Sequence, residues 1–151
     1  MIDFDDEYFM KQAIREARKA LHEGEIPVGV VIVSNQQIIA RAHNDTERLS
    51  DTTAHAEMMA ITAASTYLGS KYLEDCTMYV TLEPCIMCAG ALYWSRIRRI
   101  VYGAEDPRCG FMRYGKELLY PKTKLEYGIL TNECSTLLKD FFSSKRKKYQ
   151  E

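Results

Sequence analysis

The sequence lacks any long apolar run. No stretch approaches the roughly 20 consecutive apolar residues that a membrane-spanning helix needs, and its 46% hydrophobic and 27% charged residues are ordinary for a water-soluble fold. Residues 1–7 also lack the positive charge and apolar core of a secretory signal, because four of them are acidic. We therefore expect a cytoplasmic protein with no membrane partner.

Cysteine is scarce and odd in number, with five in 151 residues. Without an export signal, such a set is a poor disulfide framework and favours metal-binding or buried thiols. Internal repeats and Pro/Gly-rich linkers are absent as well, and 151 residues is a usual length for one domain. We expect residues 1–151 to form a single domain, with residues 145–151 as a basic C-terminal tail.

Net charge is also nearly absent, but the charges are unevenly distributed. The formal net charge is −1, whereas residues 1–95 hold 7 basic against 14 acidic side chains and residues 96–151 hold 13 against 7. A basic half of this kind is compatible with an anionic partner such as a nucleic acid. A solvated face and a soluble tail would give the same distribution.

Local patterns predict alternating helices and strands. The apolar β-branched run at residues 28–33 is typical of a strand buried on both faces, and Asn132 is suited to cap the last helix. A single central sheet with helices on its faces is the simplest packing of such an order. We predict helices at residues 5–23, 53–68, 85–94 and from 132 onward, strands at 28–33, 38–43, 76–82, 97–102 and 125–130, and a polar loop at 44–52.

Two short stretches carry the chemistry, Thr53-Ala54-His55-Ala56-Glu57 and Pro84-Cys85-Ile86-Met87-Cys88. Cys85 and Cys88 are three residues apart in a predicted first helical turn, so they point the same way at the positive end of the helix dipole. An imidazole and two thiolates can hold zinc by three ligands and leave a fourth position open, with Glu57 as a nearby non-ligating acid. We infer a zinc site between two helix N-termini.

Two other interpretations of these motifs compete with a catalytic zinc site. Cys-x-x-Cys at a helix start also occurs in thioredoxin-type redox sites, although the upstream His-Ala-Glu argues against one here. A structural zinc would need a fourth protein ligand, and none of the remaining cysteines and histidines has ligand-pair spacing. Those residues are Cys76, Cys109, Cys134, His22 and His43.

The combination His-x-Glu with Pro-Cys-x-x-Cys is the signature of zinc-dependent nucleobase deaminases. Further similarity covers Pro27-Val28-Gly29, Asn44, Thr81 to Ala91, Ser95-Arg96-Ile97, Gly103 to Asp106 and Asp140-Phe141-Phe142. On these motifs the chain resembles the bacterial tRNA-specific adenosine deaminases along nearly its whole length.

The resemblance implies a three-layer α/β/α cytidine deaminase-like fold with a central five-stranded mixed sheet. It implies a homodimer that binds a tRNA anticodon loop and hydrolyses the wobble adenosine to inosine with a zinc-activated water. His55, Cys85 and Cys88 would hold one zinc per subunit, and Glu57 would be the catalytic proton carrier. The substrate-binding residues that it implies are Asn44, Val28, Ala56 and Asp106.

The segment 107–124 departs from the family pattern, being shorter and lacking the usual Gly-Ser and Asn-His pairs. Its basic and aromatic residues could steer and stack on splayed anticodon bases, or its aromatic residues Phe111 and Tyr114 could simply pack the loop. The possible RNA contacts are Arg108, Phe111, Arg113 and, near the C-terminus, Phe142. Two other functions stay open: a deaminase of free guanine, cytosine or adenine, and a non-catalytic protein stapled by zinc.

Overall fold

The structure, a computed structural model, describes residues 3–150 and alternates helices with strands. Its helices are α1 (Asp6–His22), α2 (Thr46–Leu49), α3 (Ala56–Leu68), α4 (Ile86–Ser95) and α5 (Thr131–Gln150). Its strands are β1 (Gly29–Ser34), β2 (Gln37–His43), β3 (Cys76–Leu82), β4 (Arg99–Ala104) and β5 (Lys124–Tyr127). Two short 3₁₀ turns lie between β4 and β5, at Phe111–Arg113 and Lys116–Leu118.

The five strands form one mixed sheet in the order β2-β1-β3-β4-β5. Strand β1 pairs antiparallel with both β2 and β3, whereas β3–β4 and β4–β5 are parallel. Asn35 and Gln36 join β1 to β2 with φ angles of 50° and 65°, as in the two-residue turns that match strand twist. The predicted five-stranded mixed sheet is therefore confirmed.

The sheet is covered on both faces, so that the fold has three layers. Val30 and Ile32 of β1 pack into a core with α3 and α4. Val31 and Val33 point the opposite way, into a second core with α1 and α5. The alternation follows from the two-residue period of a strand and explains why the run at 28–33 has no polar side.

Helix α1 lies very close to the start of β1. A Cβ atom on Gly29 would overlap the backbone of Ala13 and Ala17, so only glycine permits this approach. The N–H of Gly29 in turn donates to Thr81 Oγ1 on β3 at 3.1 Å. These contacts hold the α1–β1 connection beside the carboxyl end of β3, where the site described below begins.

Most predicted elements are present, but several boundaries differ. The predicted loop at 44–52 contains the helix α2, and α3 and α4 begin at Ala56 and Ile86 because His55 and Cys85 are extended N-cap residues. Strand β4 begins only at Arg99, after Arg96 turns the chain with a φ of 54°. Strand β5 ends before Gly128, whose φ is 88°, and Asn132 lies within α5 and does not cap it.

The C-terminal part of the chain is more helical than the predicted tail suggests. Helix α5 runs through most of the predicted basic tail to Gln150, while Glu151 and residues 1–2 lie outside the described residues. That residues 1–151 form one domain stays a prediction. Within residues 3–150, none of the helices is both apolar and long enough to cross a bilayer.

Candidate metal centre and substrate cleft

Two helix N-termini meet at the site. His55 and Cys85 are the N-cap residues of α3 and α4, with extended backbones at ψ 148° and 174°. Cys88 follows in the first turn of α4 and is fully buried. Helix α4 starts just beyond the end of β3, so the parallel arrangement of β3 and β4 carries both cysteines to the carboxyl edge of the sheet.

His55, Cys85 and Cys88 bring one nitrogen and two sulfur atoms within 4.8 Å of one another. His55 Nδ1 lies 3.6 Å from the Sγ atom of each cysteine. Zinc bonds of about 2.3 Å to sulfur and 2.0–2.1 Å to nitrogen, at a tetrahedral angle, would separate these atoms by about 3.6 Å. The residues therefore fit zinc, and within residues 3–150 they form the only such His/Cys/Asp/Glu group.

The pKa values of the two cysteine thiols are shifted in opposite directions. Hydrogen bonds from Cys88 and His55 lower the pKa of Cys85 to about 4 despite its partial burial, so this sulfur is a thiolate at neutral pH. The hydrogen bond to Cys85, together with burial, raises the pKa of Cys88. A bound cation would favour the second thiolate, so metal binding would release a proton.

Glu57 lies in the first turn of α3, two residues beyond His55, and its side chain is only 3% exposed. Burial raises the pKa of Glu57 to about 7. Its Oε1 is buried and accepts no hydrogen bond from any residue of the described chain. A carboxyl group with these properties can both take and return a proton near neutral pH.

A cleft of about 770 Å³ opens over His55, Glu57 and Cys85. This volume is at the upper end of the roughly 300–1,000 Å³ typical of ligand pockets. Its apolar lining residues are Ile26, Val28, Leu82, Leu138 and Phe142. Its polar lining includes Asn44 and residues of the segments 46–52 and 105–109.

Asn44 links the cleft wall to the start of α3. It is 8% exposed, its Oδ1 accepts from Ala56 N at 2.8 Å, and its own N–H donates to Val28 O at 3.1 Å. Asn44 and Val28 line the cleft, whereas Ala56 is fully buried and does not. Asn44 accepts the N–H of Ala56 and the helix buries its side chain, and the substrate contacts of all three residues stay predictions.

Asp106 lines the cleft together with residues of the segment 46–52. Its Oδ1 accepts from the N–H groups of Arg108 and Cys109 at 3.2 and 3.1 Å. Below it the buried Glu83 accepts from Asp106 N at 3.1 Å and from Met112 N at 3.0 Å. The rim is thus held in place by a carboxylate two residues before the first metal-binding cysteine.

Two of the four possible RNA contacts line the cleft and the other two do not. Arg108 and Phe142 line the cleft, and Phe142 is 44% exposed. Arg113 is exposed but lies outside the cleft lining and binds the backbone oxygen of Arg108. Phe111 is fully buried against Tyr102. The stacking prediction is therefore wrong for Phe111, because its ring anchors the loop to the core.

Sequence patterns did not reveal the segment 46–52 or the two carboxylates that hold the rims, Glu25 and Glu83. The segment looked like an ordinary polar loop, and Glu25 lies more than 20 residues before its partners, Thr46, Glu47 and Arg48. The sequence signal was an acid placed one or two residues before a proline, at Glu25-Ile26-Pro27 and Glu83-Pro84.

Comparison with known proteins gives consistent results. Residues 4–104 match the family model described as the cytidine and deoxycytidylate deaminase zinc-binding region. A tRNA-specific adenosine deaminase of Aquifex aeolicus is 48% identical over 145 residues, which cover 93% of this chain and 95% of the relative.

Solved structures give a similar result. One from a study of tRNA:A34 deaminases and A-to-I editing at the wobble position superposes with a TM-score of 0.82 and 39% identity, covering 87% of this chain and 99% of the other. A guanine deaminase from Bacillus subtilis superposes with a TM-score of 0.65 and 42% identity, covering 68% and 66% of the two chains.

Proposed function

The chain belongs to the cytidine and deoxycytidylate deaminase zinc-binding family, and from this membership we propose that it hydrolyses the wobble adenosine of a tRNA anticodon to inosine. The observation that carries the assignment is the 48% identity to a tRNA-specific adenosine deaminase over almost the full length of both chains. The arrangement of a three-ligand metal centre, a buried acid and a wide cleft supports it.

His55, Cys85 and Cys88 would hold one zinc ion per subunit. Zinc in such a three-ligand site acts as a Lewis acid and lowers the pKa of water to about 7. The helix N-termini at His55 and Cys85 add positive potential where two thiolates must lie. The protein thereby pre-arranges its ligands and favours the thiolates that a bound cation would require.

Glu57 would carry the protons of the reaction. The oxygen of water bonds to C6 of adenine, and Glu57 takes a proton from that water and gives it to N1 of the ring. Glu57 would then move the second proton, from the hydroxyl now on C6, to N6, so that the C6–N6 bond breaks, a C6 carbonyl forms, ammonia leaves and inosine remains. The uncommitted Oε1 and a pKa of about 7 suit a group that acts first as base and then as acid.

The flipped base would lie between Val28 and the metal centre, with the Asn44 side chain as a hydrogen-bonding group beside it. Asp106 would contact a neighbouring nucleotide at the rim. Arg108 and Phe142 would meet the phosphate backbone and the splayed bases, because a guanidinium group and an exposed ring suit these two partners.

A free base remains the alternative substrate, since a structure of a guanine deaminase is also similar to this chain. The size of the cleft favours RNA, because its 770 Å³ and its long lining leave room well beyond one base. The basic balance of residues 96–151 also suits an anionic substrate.

A direct substrate comparison tests this assignment. We expect purified zinc-loaded protein to form inosine in an anticodon stem-loop with adenosine at the wobble position, and to leave free adenine, guanine and cytosine unchanged. Mass spectrometry of the digested RNA and an ammonia assay give the two measurements. A stem-loop with guanosine at that position is the control, and release of ammonia from a free base alone would refute the tRNA assignment.

We further propose that two copies associate through α4 in the cytoplasm. Ile86, Tyr93 and Trp94 lie on one stripe of this helix and are 53%, 37% and 77% exposed, while Gly90 between them leaves open space for a partner. An exposed stripe of large apolar side chains beside a small residue is typical of a protein–protein contact.

Replacing Trp94 by aspartate should convert the dimer to monomers, because a charge at the centre of an apolar interface is costly to bury. Size-exclusion chromatography with light scattering measures the mass of the particle. Tyr127→Asp is the matched control, since Tyr127 is a 56% exposed aromatic residue on β5, away from α4. A Trp94→Asp protein that stays dimeric would show that α4 is not the interface.

A further inference from the structure

Glu25 is a buried carboxylate outside the metal centre. It lies in the connection between α1 and β1 and is only 1% exposed. Its oxygens accept hydrogen bonds from Glu47 N at 3.1 Å, from Arg48 N at 2.9 Å and from Thr46 Oγ1 at 3.2 Å. All three donors belong to residues of α2, at the start of the cleft segment 46–52.

Helix α2 is held by polar contacts and not by apolar packing. It has only four residues, Thr46–Leu49, and none of them is buried. A helix this short is not stable alone, and most helices are fixed by packing an apolar face that α2 does not have. At its base the segment is closed by the hydrogen bond from Asp45 N to Ala54 O at 3.0 Å, and Arg48 pairs with the buried Asp45 just before the helix. Glu25 is therefore the carboxylate that ties α2 to a part of the chain outside this segment.

Ion pairing does not explain why the carboxylate of Glu25 is buried. Among the side chains of residues 3–147, no Lys, Arg or His lies within ion-pair distance of Glu25, whereas Glu16 pairs with Lys19 and Arg41. Burying a charge without a counter-ion is costly and contributes little to stability by itself. Backbone N–H groups at the start of a helix do stabilise a carboxylate, and they do so only in one geometry.

The tethered segment faces the substrate. Thr46, Glu47, Ser50, Asp51 and Thr52 all line the cleft that contains Glu57. Glu25 itself is not part of the cleft lining, so it would act on the substrate only through this segment. Its contacts resemble those of Glu83, which accepts from Asp106 N and Met112 N and so holds another segment of the cleft lining.

We propose that Glu25 is a positioning residue that fixes the rim segment 46–52 over the metal centre and thereby sets the affinity for the RNA substrate. This inference rests on the proposed function for the identity of the substrate. The physical reason is that only one conformation of the rim binds substrate. When the rim occupies that conformation for a fraction of the time, the apparent affinity for the substrate falls by that fraction. The chemical step, carried by other residues, keeps its rate once substrate is bound.

The test is Glu25→Gln, which keeps the shape of the side chain but turns one acceptor oxygen into an N–H donor facing other donors. Hydrogen–deuterium exchange of residues 46–52 should rise, and KM for the anticodon stem-loop should rise about tenfold. The value of kcat should stay within about twofold of the original, because Glu57 and the zinc ligands are unchanged. Zinc content should be unchanged.

Glu16→Gln is the matched control, since Glu16 is a buried carboxylate 4% exposed whose partners lie on α1 and β2, outside the cleft. Exchange at 46–52, or KM, that is the same in the two variants would overturn the inference, as would a fall in kcat alone. Absence of inosine with the unmodified protein would instead refute the proposed function, and the exchange comparison would still decide whether Glu25 holds the rim.

Discussion

Replacing Glu57 by alanine should leave zinc in the protein and lower kcat for deamination by about 10³-fold. Glu57 lies in the cleft but is not one of the three candidate ligand residues, so we expect zinc to stay bound without it. Its buried, uncommitted carboxylate oxygen is the group available to move protons between water and the purine ring. Single-turnover kinetics with the anticodon stem-loop measure the rate, and elemental analysis measures zinc.

Two further variants make the result interpretable. Glu57→Gln keeps the size of the side chain, and it should be as inactive as Glu57→Ala if proton transfer is the missing function. Glu74→Ala, at an exposed acid outside the cleft, should be fully active. Full activity in Glu57→Ala would contradict the mechanism, whereas loss of zinc in that variant would mean that Glu57 supports the metal centre.

Replacing Cys88 by alanine should abolish both zinc binding and activity, and should destabilise the fold. Cys88 is fully buried, with its sulfur 3.6 Å from His55 Nδ1. Zinc at about 1,000 times its dissociation constant stabilises a protein by about 4 kcal/mol, which in a chain of this size corresponds to about 10 °C in Tm. Calorimetry with and without a chelator, alongside zinc analysis, measures this contribution.

Cys134→Ala is the matched control for the loss of a buried thiol. Cys134 is 1% exposed and packs in the core beneath α1 and α5, away from the metal centre. Its variant should lose some stability through a small cavity but keep zinc and activity. A Cys88→Ala protein that retained a full equivalent of zinc, or that melted at the same temperature with and without chelator, would contradict the assigned ligand set.

These two predictions depend on residues that were identified from sequence alone. The reason is that the motifs describe short pieces of backbone: a proline before Cys-x-x-Cys indicates a helix start, and two thiols three residues apart in a first turn must share a face. The separation of His55 from Glu57 by one residue works because His55 is an extended N-cap, so that both side chains reach the same end of α3.

Other features depend on contacts between residues far apart in the chain. Phe111 carries no mark in the sequence that distinguishes an anchor of the loop from a stacking platform. Its burial against Tyr102 depends on how segment 107–124 folds back over the sheet. Ala56 likewise forms part of the motif, but the hydrogen bond from its N–H to Asn44 determines that it supports the wall and does not line it.

The amino-acid sequence by itself therefore predicted the sheet, its covering helices, the candidate metal ligands and the acid beside them, because these follow from side-chain periodicity and from the short spacings within each of the two motifs. Only the tertiary structure decided the walls and rims of the cleft. Glu25 reaches Glu47 across 22 residues and Glu83 reaches Met112 across 29, and bonds of such range form only when packing of the two cores brings the segments together.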